Sequence, residues 1–136
     1  MNMRQFVEKY HVECGKKLVC IDDIENFEKY LGVSFGCELT KYILDYGYLA
    51  YKHIELYGIN SVQMLESDMI KQTKYLHEYF PITQEYIALE NTGDGNYAIA
   101  SPLDGVYEFS TTGNTIKYTG KKLFDYICDR FQTTDV

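Results

Sequence analysis

Residues 22–47 read DDIENFEKYLGVSFGCELTKYILDYG, and this stretch contains two consecutive helix patterns. The first begins with Asp22 and Glu25, which have the spacing of a capping box, in which two side chains accept hydrogen bonds from free N–H groups of the first turn. Apolar residues then recur at the period of a helix, namely Ile24, Phe27 and Leu31. Gly32 can end the helix because glycine takes the left-handed conformation without a steric penalty. The pattern predicts a helix from Asp22 to Gly32.

The second helix pattern follows after a short connection. Ser34 can cap its start, and Gly47 can end it in the same way as Gly32. Its apolar residues fall at positions i, i+3, i+4 and i+7, and they are Leu39, Tyr42, Ile43 and Tyr46. Two amphipathic helices joined by about four residues are typical of a helical hairpin.

Strand-forming residues follow the predicted hairpin. Aromatic and aliphatic residues dominate 48–51 and 53–57, and Gly58 closes the second run. The spacing of apolar residues then predicts a helix over 61–79. This helix should end near Pro81, because the residue before a proline disfavours the helical conformation.

Short strand-like runs alternate with turn residues in the next part of the chain. The three runs are 86–90, 96–100 and 106–109. Asp94-Gly95 and Asp104-Gly105 separate them and are typical of hairpin turns, in which glycine takes a positive φ without penalty. Consecutive strands at this spacing predict an antiparallel meander.

Two further helices complete the predicted fold. A short helix is expected over 4–12 and a final one over about 121–131. The order of elements predicts a single α+β domain over 1–136, with an antiparallel sheet and helices packed mainly on one face. Six apolar residues from different elements are expected to share one core: Phe27, Leu31, Leu39, Ile43, Ile99 and Phe124.

The charge balance limits the classes of partner. The chain has 13 basic and 20 acidic residues, a formal net charge of -7. An acidic surface repels phosphate backbones, so direct binding of nucleic acid is disfavoured. The same surface suits a basic protein partner, since long-range attraction raises association rates. The alternative is that the negative charge serves solubility alone.

The sequence also predicts the cellular location of the protein and the state of its cysteines. A membrane helix needs about 18 consecutive apolar residues, and no stretch of the chain comes near that length. Residues 1–5 lack the apolar run of a secretory signal. We therefore expect a cytoplasmic protein that does not contact a membrane. The four cysteines have neither Cys-x-x-Cys nor zinc-finger spacing, which predicts reduced thiols and no metal. They are Cys14, Cys20, Cys37 and Cys128.

Residues that could support catalysis are few. The three histidines lie beside no recognisable nucleophile motif, and neither glycine-rich nucleotide motif is present. Glu55 with Glu90 or Glu108 could form a carboxylate pair for acid–base chemistry, but each is more simply explained as a solvated residue at a strand edge. The sequence therefore favours a protein without enzymatic activity and without a cofactor.

Tyrosine is unusually abundant, with 14 residues and no tryptophan. Tyrosine is enriched in protein interfaces because it combines a large rigid ring with a polar tip. The densest group cannot all be buried, since alternate strand residues point to opposite faces. We therefore predict a protein-binding patch, the alternative being ordinary half-buried strand aromatics. Its residues are Asp45, Tyr46, Tyr48, Tyr51, Glu55 and Tyr57.

Several of these segments together resemble the SUKH superfamily. Residues 24–32 and 35–44, followed by Gly47, resemble its N-terminal signature, in which a helix ending in Leu-Gly precedes a second helix that ends before a glycine. The later segments 86–89, 93–97, 105–109 and 123–127 are similar to its strand, its glycine–aromatic turn, its G-x-V-Y strand and its last helix. Gly36 stands where the family usually has proline, so the start of the second helix is expected to differ.

The resemblance implies a SUKH-like α+β fold without a catalytic centre. For most bacterial members it implies an immunity protein that binds and neutralises a cognate secreted toxin, often a nuclease. Eukaryotic relatives act as adaptors in cell-wall signalling. The expectation is therefore a cytosolic immunity protein for a bacterial toxin, and the alternative is a non-enzymatic adaptor or regulatory domain with a non-toxin partner.

Overall fold

A computed structural model describes residues 2–15, 19–59 and 68–135. The helices in this part of the chain are α1 Met3–Lys9, α2 Ile21–Leu31, α3 Cys37–Tyr46, α4 Asp68–Tyr79 and α5 Leu123–Asp135, with a 3-10 turn at Pro81–Thr83. The strands are β1 Glu13–Cys14, β2 Leu49–Tyr51, β3 Ile54–Leu56, β4 Ile87–Gly93, β5 Asn96–Ala100, β6 Gly105–Ser110 and β7 Thr115–Lys122. The predicted α+β class is confirmed, whereas the start of the helix predicted over 61–79 lies outside the described residues.

The strands form two antiparallel sheets. The smaller sheet has the order β1-β2-β3, and the larger is the predicted meander extended by one strand, β4-β5-β6-β7. The backbone N–H of Tyr57 donates to the carbonyl of Leu89 at 2.6 Å, which joins the end of β3 to β4. The sequence prediction missed β1 and β7, because β1 has two residues and β7 is mostly polar.

Apolar residues of the larger sheet point alternately to two faces. Ala98, Ala100 and Val106 point to the inner face and belong to the main core, which also contains the buried sides of α1, α2, α3 and α5. Ile99 and Phe109 point to the outer face, where Leu76 of α4 completes a second, smaller core. The prediction of one shared core is therefore wrong for Ile99, as the strand period of two requires.

Phe124 also departs from the predicted core. Its side chain is only half-buried, against the main core, while Leu123 beside it is 1% exposed. The other predicted members in the helices are buried, with Phe27, Leu39 and Ile43 each 1% exposed. The buried face of α5 therefore consists of Leu123, Ile127 and Phe131, and Phe124 lies at its edge.

The start of α2 lies two residues before the predicted cap. Cys20 rather than Asp22 occupies the N-cap position, and its N–H donates to the Asp23 carboxylate at 2.9 Å. The end agrees with the prediction, since Gly32 takes a φ of 72° and its N–H donates to Glu28. Asp22 and Asp23 are adjacent, so the sequence offers two positions for the capping carboxylate. In the structure the Asp23 carboxylate accepts the N–H of Cys20, so the prediction of Asp22 was wrong.

The start of α3 is capped from another part of the chain. The N–H groups of Glu38 and Leu39 donate to the two carboxylate oxygens of Asp104, each at 3.0 Å. Ser34, the predicted cap, makes no such bond, and Gly36 occupies the N-cap position. A Cβ at Gly36 would collide with the Asp104 carboxylate, which explains the glycine there.

The same aspartate changes the interpretation of the second hairpin turn. Asp104, not Gly105, has the positive φ, at 68°. In the first turn both Asp94 and Gly95 have positive φ. Aspartate is one of the few residues other than glycine that tolerate this conformation, so the turn can point a carboxylate at α3.

Candidate functional site

The structure distributes the six residues of the predicted patch over three places. Two lie at the end of α3, Tyr51 of β2 lies in an aromatic cluster, and the other three lie together within or beside β2 and β3. Tyr46, Tyr48, Tyr51 and Tyr57 are all half-buried, and Glu55 is exposed. Exposure alone therefore does not rank the tyrosines, and their surroundings decide what each can do.

Asp45 and Tyr46 line a groove of about 640 Å³ between α1, α3 and α5. The Asp45 carboxylate accepts a hydrogen bond from Lys41 Nζ at 2.9 Å, within the same helix. Burial, followed by the Asp45 charge, raises the pKa of Tyr46. Because Asp45 already has a cationic partner, its charge is less available to a binding protein.

Tyr51 lies in an aromatic cluster at the edge of the main core. Its ring centroid is 5.6 Å from that of Phe6, 5.7 Å from that of Phe131 and 6.2 Å from that of Tyr10. Lys52 Nζ lies 5.4 Å from the same ring. Through these contacts Tyr51 contributes to the packing of α1 and α5 on β2.

The remaining three residues lie together in what we call the acidic groove. This cavity of about 240 Å³ has three carboxylates and two tyrosines, and no Lys or Arg, among its described lining. Its charged and aromatic residues are Glu13, Tyr48, Glu55, Tyr57 and Asp68. Strand pairing explains the arrangement, because Glu13 and Glu55 both pair with Ala50 and therefore share one face.

The tyrosines of the acidic groove are held by different interactions. The Tyr48 hydroxyl donates to Glu13 Oε2 at 2.7 Å, and this hydrogen bond is the main reason that the pKa of Tyr48 is raised. Burial, together with nearby acids and Tyr97, raises the pKa of Tyr57 to about 12. Both phenols therefore remain neutral at physiological pH, and each presents a ring face beside a carboxylate.

The floor of the acidic groove depends on a close backbone approach. Gly58 lies against Gly47, and a Cβ at Gly58 would collide with the carbonyl of Gly47. The same carbonyl accepts a hydrogen bond from the N–H of Ile59 at 3.0 Å. The two glycines that the sequence marked as ends of elements thus bring the end of α3 against the strand end that carries Tyr57.

Glu90 is not the solvated strand-edge residue that the sequence indicated. It is 1% exposed and accepts hydrogen bonds from Arg130 Nε and Nη2 at 3.1 and 2.9 Å and from the Tyr126 hydroxyl at 3.2 Å. This ion pair joins β4 to α5. Glu55 and Glu108 are exposed, and Glu108 pairs across the sheet with Lys117.

His77 also has a structural role. His77 is buried on α4, and its Nε2 lies 2.8 Å from the carbonyl of Tyr86. Burial lowers the pKa of this imidazole.

In the part of the chain that the structure describes, no group of three or more metal-ligating side chains could hold a metal ion. No helix within residues 2–15, 19–59 and 68–135 is long and apolar enough to cross a bilayer.

The sequence analysis missed a second tyrosine-rich surface, which we call the aromatic face. It covers the outer face of the larger sheet and the end of α4. It consists of Tyr75, Tyr79, Phe80, Tyr86, Tyr97, Tyr107 and Tyr118. The signal was present as alternation along the strands, with Tyr97 two residues before Ile99 and Tyr107 two before Phe109. It was overlooked because these residues are less dense in sequence than those between 46 and 57.

Comparison with known proteins identifies one family. The model of the SUKH_5 family, described as SMI1-KNR4 cell-wall, matches residues 3–132. The match includes every helix and strand described above, except the last three residues of α5, and both tyrosine-rich surfaces. No curated protein sequence matches the chain.

Proposed function

The chain belongs to the SMI1-KNR4 cell-wall family of the SUKH group, and we propose that it is a cytoplasmic immunity protein that binds and neutralises a cognate toxin. The observation that carries the proposal is the family match over almost the whole chain, since immunity proteins are frequent among bacterial SUKH members. The protein acts by binding alone and alters no covalent bond in its partner. The partner is a basic protein such as a nuclease.

The acidic groove supports this proposal by its chemistry. Glu13, Glu55 and Asp68 surround a space that a single long cationic side chain can enter. An arginine there would meet carboxylates for bidentate hydrogen bonds and the rings of Tyr48 and Tyr57 for cation–π contact. The groove therefore suits an arginine of a basic partner better than an anionic or apolar group.

The net charge of -7 adds an effect on association rate. Opposite charges on the partner would steer the encounter over a range of about 8 Å at physiological ionic strength. Asp45 and Tyr46, at the neighbouring end of α3, extend the proposed contact beyond the groove. Tyr51 contributes through its packing beneath β2.

The polar groups that could have supported catalysis have other roles. Glu90 is bound by Arg130 and Tyr126 within the fold, and His77 is held against a backbone carbonyl. Neither group faces the acidic groove. These contacts favour a binding function over an enzymatic one.

A second candidate function has one observation in its favour. The description of the matching family refers to the cell wall, which favours an adaptor with a partner in cell-wall regulation. Such an adaptor could use the same groove. The two functions differ in whether the protein protects a cell from a toxin.

Co-expression tests the proposed function. A candidate toxin, sought among the genes that neighbour this one, is induced in a sensitive host with and without this protein, and we expect growth only with it. Equal arrest in both cultures would contradict the immunity function and favour the adaptor.

Matched variants then test the groove. Glu55→Gln should slow association several-fold and flatten its salt dependence, because it removes one exposed charge from the approach path. Glu108→Gln makes the same change on the other sheet and should leave the rate close to that of the wild type. Equal association rates for both variants would remove the groove from the proposed contact.

A further inference from the structure

We propose that the aromatic face is a docking surface for arginine side chains of a basic protein. The first observation is its continuity. Tyr75 and Tyr79 have ring centroids 5.1 Å apart, and Tyr107 and Tyr118 have centroids 5.0 Å apart on the adjacent strands. Tyr86 lies 5.3 Å from Tyr107 of β6. Phe80 connects the two groups, since its ring centroid is 6.3 Å from that of Tyr75 and 5.2 Å from that of Phe109, two residues after Tyr107 on the same face of β6.

The second observation is that the rings are accessible. Tyr79 is 62% exposed, Tyr118 50% and Tyr75 43%. Among the described residues, no hydrogen bond involves the hydroxyls of these three tyrosines. Soluble proteins do not usually leave a contiguous group of large rings open to water unless it binds something.

The charges around the aromatic face identify the kind of partner. Glu78 and Glu85 are exposed beside Tyr79 and Tyr86. Lys71 and Lys74 lie with Glu78 on the side of Tyr75 that faces Tyr30, and Lys74 Nζ is 4.5 Å from the Tyr30 ring and so already has an aromatic partner. The surface thus combines electron-rich ring faces with carboxylates.

The choice of arginine follows from this combination. A guanidinium group stacks on a tyrosine ring and can also form a fork of hydrogen bonds to a carboxylate, whereas an ammonium group offers only a compact charge. The neutral tyrosine hydroxyls can accept further N–H groups. A second copy of this chain is a poor occupant, because the same acids would face each other in a complex with net charge -7 on each side.

The aromatic face is also continuous with the acidic groove. Tyr57 lines the groove and packs with Tyr97 against the second core. Tyr97 in turn lies close enough to Tyr75 for the charge of one phenolate to raise the pKa of the other. A basic partner can therefore contact both surfaces at once. Where this partner is taken to be a toxin, the inference rests on the proposed function.

A peptide assay tests the aromatic face without any toxin. Nona-arginine and nona-lysine peptides are titrated into the full chain, and binding is followed by isothermal titration calorimetry. We expect nona-arginine to bind several-fold more tightly than nona-lysine. Only a guanidinium group can stack on a tyrosine ring and also form two parallel hydrogen bonds to a carboxylate. The Tyr79→Ala, Tyr118→Ala double variant should lose the part of this preference that the acidic groove does not supply, whereas the Tyr79→Phe, Tyr118→Phe variant should keep most of it. An unchanged preference in the alanine variant would overturn the proposal.

The candidate toxin provides a second readout. The single variants Tyr79→Ala and Tyr118→Ala should each weaken the complex by roughly 10- to 30-fold if these tyrosines are hot spots of the interface. Melting temperatures of the variants control for folding, and both side chains are exposed enough to be removed safely. If the toxin binds both alanine variants as tightly as the wild type, the aromatic face is not its docking surface and the immunity function stands. If the toxin does not bind the wild type, the immunity function fails and the peptide assay decides the inference.

Discussion

Removal of the Asp104 carboxylate should destabilise the protein through a helix that lies 65 residues earlier in the chain. Asp104 is 6% exposed, and its two oxygens accept hydrogen bonds from the N–H groups of Glu38 and Leu39. In the Asp104→Ala variant both N–H groups lose their partner. The Leu39 N–H is buried, so water cannot replace the carboxylate there.

The expected magnitude follows from the two bonds and the helix end. A buried donor left without a partner costs about 1–3 kcal/mol, and the loss of a helix N-cap costs about 0.5–2 kcal/mol. The negative charge at the positive end of α3 adds a few tenths of a kcal/mol to about 1 kcal/mol. These contributions overlap, since they describe the same contact, and we expect a loss of about 2–4 kcal/mol in the free energy of unfolding.

Two further substitutions at this position separate capping from backbone conformation. Asp104→Gly also removes the cap but accepts the positive φ of 68°, so it should be about 1 kcal/mol more stable than Asp104→Ala. Asp104→Asn keeps one acceptor oxygen and should lie between the alanine variant and the wild type. Asp94→Ala is the matched control, because Asp94 has a similar φ of 56° in the other hairpin but is exposed.

Urea unfolding followed by circular dichroism measures these differences. The order of stability should be wild type, Asp104→Asn, Asp104→Gly and Asp104→Ala, with Asp94→Ala only about 1 kcal/mol below the wild type, which is the cost of alanine at a positive φ. If Asp104→Ala unfolds within about 0.5 kcal/mol of the wild type, the carboxylate does not hold α3 to the hairpin. If Asp94→Ala is equally unstable, the loss arises from backbone strain instead of capping.

Two other stability predictions concern packing and pH. Phe27→Ala should cost about 3–5 kcal/mol because its ring is 1% exposed, whereas Phe124→Ala should cost clearly less because its ring is half-buried; equal shifts in melting temperature for the two variants would contradict the difference in burial. His77 has a lowered pKa in the folded state, so the unfolded chain binds more protons and stability should fall as the pH drops below the ordinary histidine value of 6.5. In urea unfolding at about pH 5 and pH 7.5, His77→Gln should lose part of this dependence and His53→Gln, at an exposed site, should not.

The helical hairpin could be predicted from the sequence because its determinants are local. The apolar period of α2 and α3, and the glycines Gly32 and Gly47 that end them, lie within the helices themselves or beside them. Their starts could not be predicted equally well. Asp104 caps α3 from 65 residues away, and Glu38 accepts the N–H of Phe124 at the start of α5 from 86 residues away. Such contacts exist only after the chain has folded.

The candidate site was predicted in part for the same reason. Tyrosine density along the chain drew attention to Tyr48, Glu55 and Tyr57, which share the acidic groove, and their role in binding stays a prediction. It could not show that Tyr51 would turn into the aromatic cluster, because the direction of each strand residue depends on the register with β1 and β3. It also could not assemble the aromatic face, whose rings come from α4 and three strands.

Two buried polar contacts hold helices to the inner side of the larger sheet. Asp104 holds α3 to the turn between β5 and β6, and Glu90 holds α5 to β4 through Arg130. Both contacts are buried, and breaking either would leave charged or polar groups without partners at a cost of several kcal/mol. The outer side carries tyrosines whose exposed rings make few demands on the fold. Substitutions of these tyrosines should therefore cost little stability. The proposed docking surface can thus change in sequence, as the partner changes, while the contacts that hold the fold are kept.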